Sequence, residues 1–122
     1  MKAGNLYSYR IISRKENTLE VSLELDDKHP IYAGHFPDQP LTPGVVQVQL
    51  IGDILEKERG HKLFLEGSRN IKFTGMLVPG ECRDLRASIS HVEEAGKVKV
   101  QASLQDGENS FLKFRGEYRR DD

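Results

Sequence analysis

The 122-residue chain sets 18 lysines and arginines against 19 aspartates and glutamates, a formal net charge of −1, so nothing in its overall charge favours nucleic acid or an anionic membrane surface. A hydrophobic fraction of 37% supports a single modest core, and the length fits one compact domain over residues 1–122. No apolar run approaches the ~18 residues of a membrane span, and the N-terminus lacks a charged-then-apolar signal, so the expected location is cytoplasmic. Cys82 is the only cysteine; it has no partner for an internal disulfide and no second thiol for a zinc site, and no metal or cofactor is expected.

In chain order, Tyr9 to Ser13 and Thr18 to Leu25 read as two strands joined by a turn at Lys15-Glu16-Asn17. Leu19, Val21, Leu23 and Leu25 alternate with polar residues, so one face is buried. A polar loop from Asp26 to His29 and the segment Pro30 to Gly34 then deliver the chain to His35.

The stretch from Ala33 to Asp53, AGHFPDQPLTPGVVQVQLIGD, is the most constrained in the sequence. Pro37, Pro40 and Pro43 each fix φ, which makes the connection from His35 to Thr42 stiff and extended and holds the histidine in place. Thr42 is the expected N-cap, Pro43 suits the first helical position, and Gly44 lets another group approach free backbone N–H groups that favour negative charge. That combination reads as an oxyanion or carbonyl-oxygen site.

The helix is expected from about Pro43 to Arg59, with Gly60 as its left-handed stop and Lys57 and Arg59 in the last turn. Val45, Val46, Val48, Leu50, Ile51, Ile54 and Leu55 surround its axis, the pattern of a helix buried on most sides. Gln47, Gln49 and Asp53 are set into that wall, and Gln49 and Asp53, four apart, share one face. A buried carboxylate is costly unless paired or protonated, so Asp53 lies at a cavity or has a shifted pKa. The same two residues equally fit a structural hydrogen-bonded pair.

Beyond the helix, Leu63 to Thr74 reads as a long strand with a bulge or kink at Gly67 and Ser68. Pro79-Gly80 is a turn. Three antiparallel strands follow, carrying Leu85, Ala87 and Ile89, then Val98, Val100, Ala102 and Leu104, then Leu112, Phe114 and Tyr118, divided at Glu94 to Lys97 and at Asp106 to Asn109. One buried helix between early strands and a long antiparallel run is an α+β layer, the helix wrapped by a curved sheet. No internal repeat or phosphate-binding glycine loop is present. His29, His61 and His91 fall in loops or at strand ends and read as solvated. Arg69, Lys72, Lys113, Arg115, Arg119 and Arg120 read as solvated strand faces, a cluster of which would suit an acidic carrier protein.

His35-Phe36-Pro37, Pro40 and Pro43-Gly44-Val45, opening an apolar helix, resemble the signature of the β-hydroxyacyl-acyl-carrier-protein dehydratases, which have the hot-dog fold. Pro30 to Gly34 resembles that family's lead-in, and Ile71-Lys72-Phe73 with Val78-Pro79-Gly80-Glu81 resembles its later strand and turn, so nearly the whole chain is covered. The resemblance implies a lyase of fatty acid biosynthesis and lipid metabolism that acts on an acyl thioester held by acyl carrier protein or coenzyme A, and that works as a homodimer or higher hot-dog oligomer. It implies His35 as the base at the substrate's Cα–Cβ unit and a backbone N–H near Gly44 as holder of the thioester oxygen. Tyr32, Phe36, Val45, Val48, Ile71 and Phe73 are the expected apolar walls of an acyl tunnel.

One departure bears on mechanism. The resembled helix carries a carboxylate, contributed from the partner subunit, followed four residues later by glutamine; here Gln49 is followed four residues later by Asp53. An amide cannot act as a general acid, and one helical turn displaces the carboxylate by roughly 5 Å. Asp38 and Gln39 also stand where the family has a glycine and a basic residue. Three readings follow: a dehydratase with His35 as base and Asp53 as displaced acid, a hot-dog acyl thioesterase in which Asp53 or Gln49 orients water, or a catalytically impaired subunit of a heteromeric dehydratase.

Overall fold

The computed structural model describes residues 6–26, 28 and 42–120. The predicted site residues His35, Tyr32 and Phe36, together with His29 and the proline-braced loop before Leu41, lie outside the described residues. Six strands and one helix follow in the order β1 (Tyr7–Lys15), β2 (Thr18–Leu25), α1 (Gly44–Arg59), β3 (Leu63–Phe73), a 3₁₀ turn (Pro79–Glu81), β4 (Leu85–Glu94), β5 (Lys97–Asp106) and β6 (Asn109–Arg120). The strands form one antiparallel sheet in the spatial order β1-β2-β4-β5-β6-β3, so the chain leaves β2, passes through the helix and lays β3 on the opposite edge.

The alternation read from sequence is the alternation of the core. Leu19, Val21 and Leu23 of β2, Leu85, Ala87 and Ile89 of β4, Val98 to Leu104 of β5, and Leu112, Phe114 and Tyr118 of β6 are buried with Leu50, Ile51, Ile54 and Leu55 of α1. Each such side chain removed from water contributes about 1.5–3 kcal/mol. The hairpin turns fall where expected: Glu16 at φ 54°, Ala95 and Gly96 at 52° and 78°, and Gly107 at 60° take the left-handed backbone that tight turns demand.

The first strand is longer than the sequence reading, whereas the expected irregularity of β3 is found. β1 runs from Tyr7 to Lys15 and not only Tyr9 to Ser13, because its register shifts between Ile11 and Ser13. The adjacent pair Ile11-Ile12 breaks the period of two and hides the strand's length. In β3 the shifts lie between Leu65 and Gly67 and between Ser68 and Asn70, as the glycine implies.

The helix differs more. Gly60 is its left-handed stop at φ 77°, its N–H donating to the Glu56 carbonyl, and Lys57 and Arg59 occupy the last turn. Thr42, however, does not cap the N-terminus: the cap position is Pro43 and no side chain caps there. Thr42 is instead buried, its N–H donating to the Leu77 carbonyl at 2.8 Å and its carbonyl accepting from Gln47 Nε2 at 3.1 Å. Nor is α1 buried on most sides. Leu50, Ile51, Ile54 and Leu55 pack into the core of the sheet, Val46 packs against Leu6 and Gln47 is buried beside Thr42, whereas Val45 is 75% exposed. The sheet wraps one side of the helix and leaves a stripe open.

His91 is not a solvated strand end. It is half-buried on β4, and its Nδ1 accepts a hydrogen bond from Arg59 Nε at 3.0 Å while Arg59 Nη1 reaches Glu93 at 3.2 Å, which ties the end of α1 to the sheet. Burial lowers the His91 pKa below its ordinary 6.5, and the Arg59 charge lowers it further against a smaller opposing pull from Glu58. An imidazole that resists protonation when folded but not when unfolded contributes stability above about pH 6.5, lost as pH falls through the folded pKa. Urea unfolding should therefore show a loss of stability below about pH 6.5 that His91→Gln reduces; equal acid slopes in both proteins would contradict this.

Candidate active site

The open stripe of α1 carries the polar pair. Gln49 Nε2 donates to Asp53 Oδ1 at 2.9 Å, as the spacing of four predicts. Both are half-buried, and with Val45, Val48, Gly52 and Glu56 they form the helical wall of a cavity of about 220 Å³ whose other wall is Leu63 and Leu65 of β3 and Tyr118 of β6. Asp53 thus lies at a cavity and also forms the hydrogen-bonded pair with Gln49 that the sequence equally allowed. Glu56 serves the scaffold as well: its Oε2 accepts the Leu63 N–H at 2.8 Å and fixes the start of β3 beneath the helix.

Tyr118 enters this cavity from below. Its ring is buried, edge-on to Phe114 at 6.4 Å between centroids, and its hydroxyl lies at Gly52, where a Cβ would stand 3.4 Å from it. Burial, then the charges of Glu56 and Asp53, push its pKa well above 10. On the other flank of the stripe, burial and the Asp53 charge raise Tyr7 in the same way. The Tyr7 hydroxyl and Gln47 Oε1 are buried with no hydrogen-bond partner among the described residues.

Gly44 begins the helix beneath the Phe73 ring. A Cβ there would fall 2.5 Å from Cζ of that ring, closer than real Cβ contacts come, so the glycine permits this approach. Val46 and Gln47 N–H groups reach the Pro43 carbonyl at 3.0 and 3.1 Å, and the first turn holds no acidic side chain.

Of the residues singled out in the sequence, the structure thus brings Gln49, Asp53, Val45 and Val48 to one cavity. Gly44 and Phe73 meet at the helix start, while Ile71 and Phe73 stay 37% and 53% exposed on edge strand β3. Gly52, Glu56, Leu63, Leu65 and Tyr118 were not singled out for the site. Gly52 carried a usable signal, since a glycine inside a helix costs about 1 kcal/mol against alanine. Tyr118 carried none beyond its place in an inward alternation.

On the outer face of the sheet, Lys72 stands opposite Lys113 across β3 and β6, and Arg115 is the next outward residue of β6. Arg119, by contrast, is engaged: its guanidinium lies 3.5 Å from Glu66 and over the Phe64 ring at 4.6 Å. Among the described residues no group of histidine, cysteine and carboxylate side chains could hold a metal ion, and no helix is long and apolar enough to cross a membrane. Cys82 is half-buried, its thiol donating weakly to the Val78 carbonyl at 3.5 Å, and burial pushes its pKa up to about 11.

A family model described as ApeI-like, ApeI dehydratase, matches residues 11–114. The chain belongs to the ApeI-like dehydratase family. Its similarity extends to the 3-hydroxyacyl-[acyl-carrier-protein] dehydratase FabZ of Chlamydia trachomatis, 33% identical over 126 residues that take in 88% of this chain and 82% of that protein. The FabZ of Clostridium acetobutylicum is 29% identical over 87 residues, 66% of this chain and 62% of that one. Among solved structures, the dehydratase heterocomplex ApeI:P from Xenorhabdus doucetiae superposes with a TM-score of 0.70 at 22% identity, covering 93% of this chain and 99% of that one. The Escherichia coli PaaI protein superposes with a TM-score of 0.66 at 13% identity, covering 93% and 80%. The fold is the hot-dog fold, and this member of the ApeI-like family is a 3-hydroxyacyl-[acyl-carrier-protein] dehydratase-like lyase.

Proposed function

We propose that this chain, as one hot-dog domain, dehydrates a 3-hydroxyacyl thioester presented by acyl carrier protein, with His35 and Asp53 as the proton-transfer pair. His35 takes the proton from C2, the C3–O bond breaks, and the hydroxyl leaves as water with a proton from Asp53, giving the enoyl thioester. The backbone N–H near Gly44 holds the thioester oxygen while negative charge develops there. The observation that carries this reading is the position of Asp53 on the wall of a cavity at the helix stripe, with Gln49 Nε2 on its Oδ1 at 2.9 Å. A carboxylate one turn from the family's usual place still faces a space that a substrate can enter. The outward row of Lys72, Lys113 and Arg115 supports an acidic carrier protein over a free acyl group.

The unit that works is a dimer. Val45, Ile71 and Phe73 are large apolar side chains left exposed around edge strand β3 and the helix start, and a second copy pairing along that edge would cover them and close the tunnel. Tyr32, Phe36, Val45, Val48, Ile71 and Phe73 would then line the acyl chain. Sedimentation at micromolar concentration should give a species of at least two chains, and a monomer would count against this assembly.

The amide at position 49 favours a second reading, in which the chain lends its fold and His35 to a partner subunit that supplies the acid. A solved structural neighbour is itself a dehydratase heterocomplex. Incubating purified protein with 3-hydroxyacyl carrier protein separates the outcomes. Enoyl thioester formed, and lost in His35→Ala, supports the dehydratase; free acid and thiol indicate a thioesterase; no turnover of any kind leaves the partner-dependent subunit.

A further inference from the structure

We propose that the Tyr118 hydroxyl is a substrate-binding group of this site, donating a hydrogen bond to the 3-oxygen of the acyl substrate where that oxygen lies beside Asp53. The inference rests on the dehydratase reading above and adds to it a residue that lies 65 positions beyond Asp53 in the chain.

Two local costs meet at one point. The ring of Tyr118 occupies an inward position of β6 equivalent to that of Phe114, and it is 4% exposed. Its hydroxyl lies at Gly52, on the wall of the cavity that Asp53 and Gln49 share. A phenylalanine would pack there equally well without a polar atom to satisfy. Directly across from the hydroxyl, α1 carries Gly52, in the middle of the helix, where alanine is the better helix former. A Cβ at that position would stand 3.4 Å from the hydroxyl oxygen, so the glycine keeps the space in front of the phenol clear. Local rules broken together without a structural gain point to a functional position.

The chemistry selects the partner. Burial and then the nearby carboxylates raise the phenol's pKa above its ordinary 10, so at neutral pH it carries its proton and can donate to an acceptor. The substrate oxygen that must come beside Asp53 is the one that leaves as water. A phenol donating to it fixes C3 relative to the carboxylate, and Gln49, already committed through Nε2 to Asp53 Oδ1, fixes the carboxylate in turn.

The test compares two non-reactive ligands of equal chain length, a 3-hydroxyacyl pantetheine amide and its saturated acyl counterpart, by calorimetric titration of the full chain and of Tyr118→Phe. The native protein should bind the hydroxylated ligand about 3- to 10-fold more tightly, the value of one net hydrogen bond. Tyr118→Phe should lose that preference, keep its affinity for the saturated ligand within about twofold and melt at the native temperature. Gly52→Ala, which places a methyl in ordinary contact with the hydroxyl at 3.4 Å and so fills the space in front of it, should also reduce the preference while leaving the helix at least as stable. If the native protein shows the preference and Tyr118→Phe retains it, or loses affinity for both ligands alike, the inference is overturned and the dehydratase reading stands. If the native protein binds neither ligand, both fall together.

Discussion

Asp53→Asn is expected to slow turnover of a 3-hydroxyacyl thioester by about 10²–10⁴-fold, the usual worth of a positioned acid or base. The substitution removes the proton carrier, keeps the shape and leaves Gln49 a partner, so it separates proton transfer from packing. Because Asp53 is only half-buried on the open stripe of α1, the melting temperature should hardly move. Gln49→Ala should reduce the rate far less, since the amide holds the carboxylate through one bond of 2.9 Å and moves no proton itself. The alternative makes the opposite demand. If the chemistry requires the acid where the resembled family has it, Gln49→Glu should create or strongly raise dehydration and Asp53→Asn should matter little. Initial rates of enoyl thioester formation distinguish the two patterns directly.

One residue further along the same helix the expected effect lies wholly in stability. Ile54 is fully buried among the inward side chains of the sheet. Ile54→Ala removes three carbons from a packed core and should cost about 2–5 kcal/mol of unfolding free energy, the range set by how far the surroundings collapse into the cavity. Urea denaturation measures that loss. The turnover number of the folded fraction should stay near native, because Ile54 points away from the stripe that carries Asp53. A loss below about 0.5 kcal/mol would be a surface value and would mean that the helix does not sit in the sheet as described.

Most of the elements are legible in the sequence. The alternations of β2, β4, β5 and β6 were clean because those strands bury one face and expose the other, and Gly60, Gly96 and Gly107 marked their own turns. The pairing of Gln49 with Asp53 was equally legible, since a spacing of four on a helix is a contact whatever surrounds it. The motif from His35 to Val45 pointed to the family that the match over residues 11–114 then established.

What periodicity could not decide was which side of α1 stays open. Val45 and Val48 extend the apolar pattern nearly around the axis, so the sequence described a helix buried on most sides. Packing against the sheet covers Leu50, Ile51, Ile54 and Leu55 and leaves Val45 exposed and the Gln49–Asp53 pair on the wall of a cavity. Thr42 had the right chemistry for a cap, but the helix begins one residue later, the cap position falls on Pro43, and the Thr42 backbone N–H is held by the Leu77 carbonyl, 35 residues away in the chain. His91 looked like a strand end until the last turn of α1 brought Arg59 onto it. Tyr118 faces Asp53 only because β3 crosses to the far edge and β6 pairs beside it. The sequence by itself determined the strands, the turns, the helix and the polar pair upon it, because each depends on neighbours within a turn or a hairpin. The far wall of the site was decided by tertiary structure alone, because it joins residues whose proximity depends on the order of strands in the sheet.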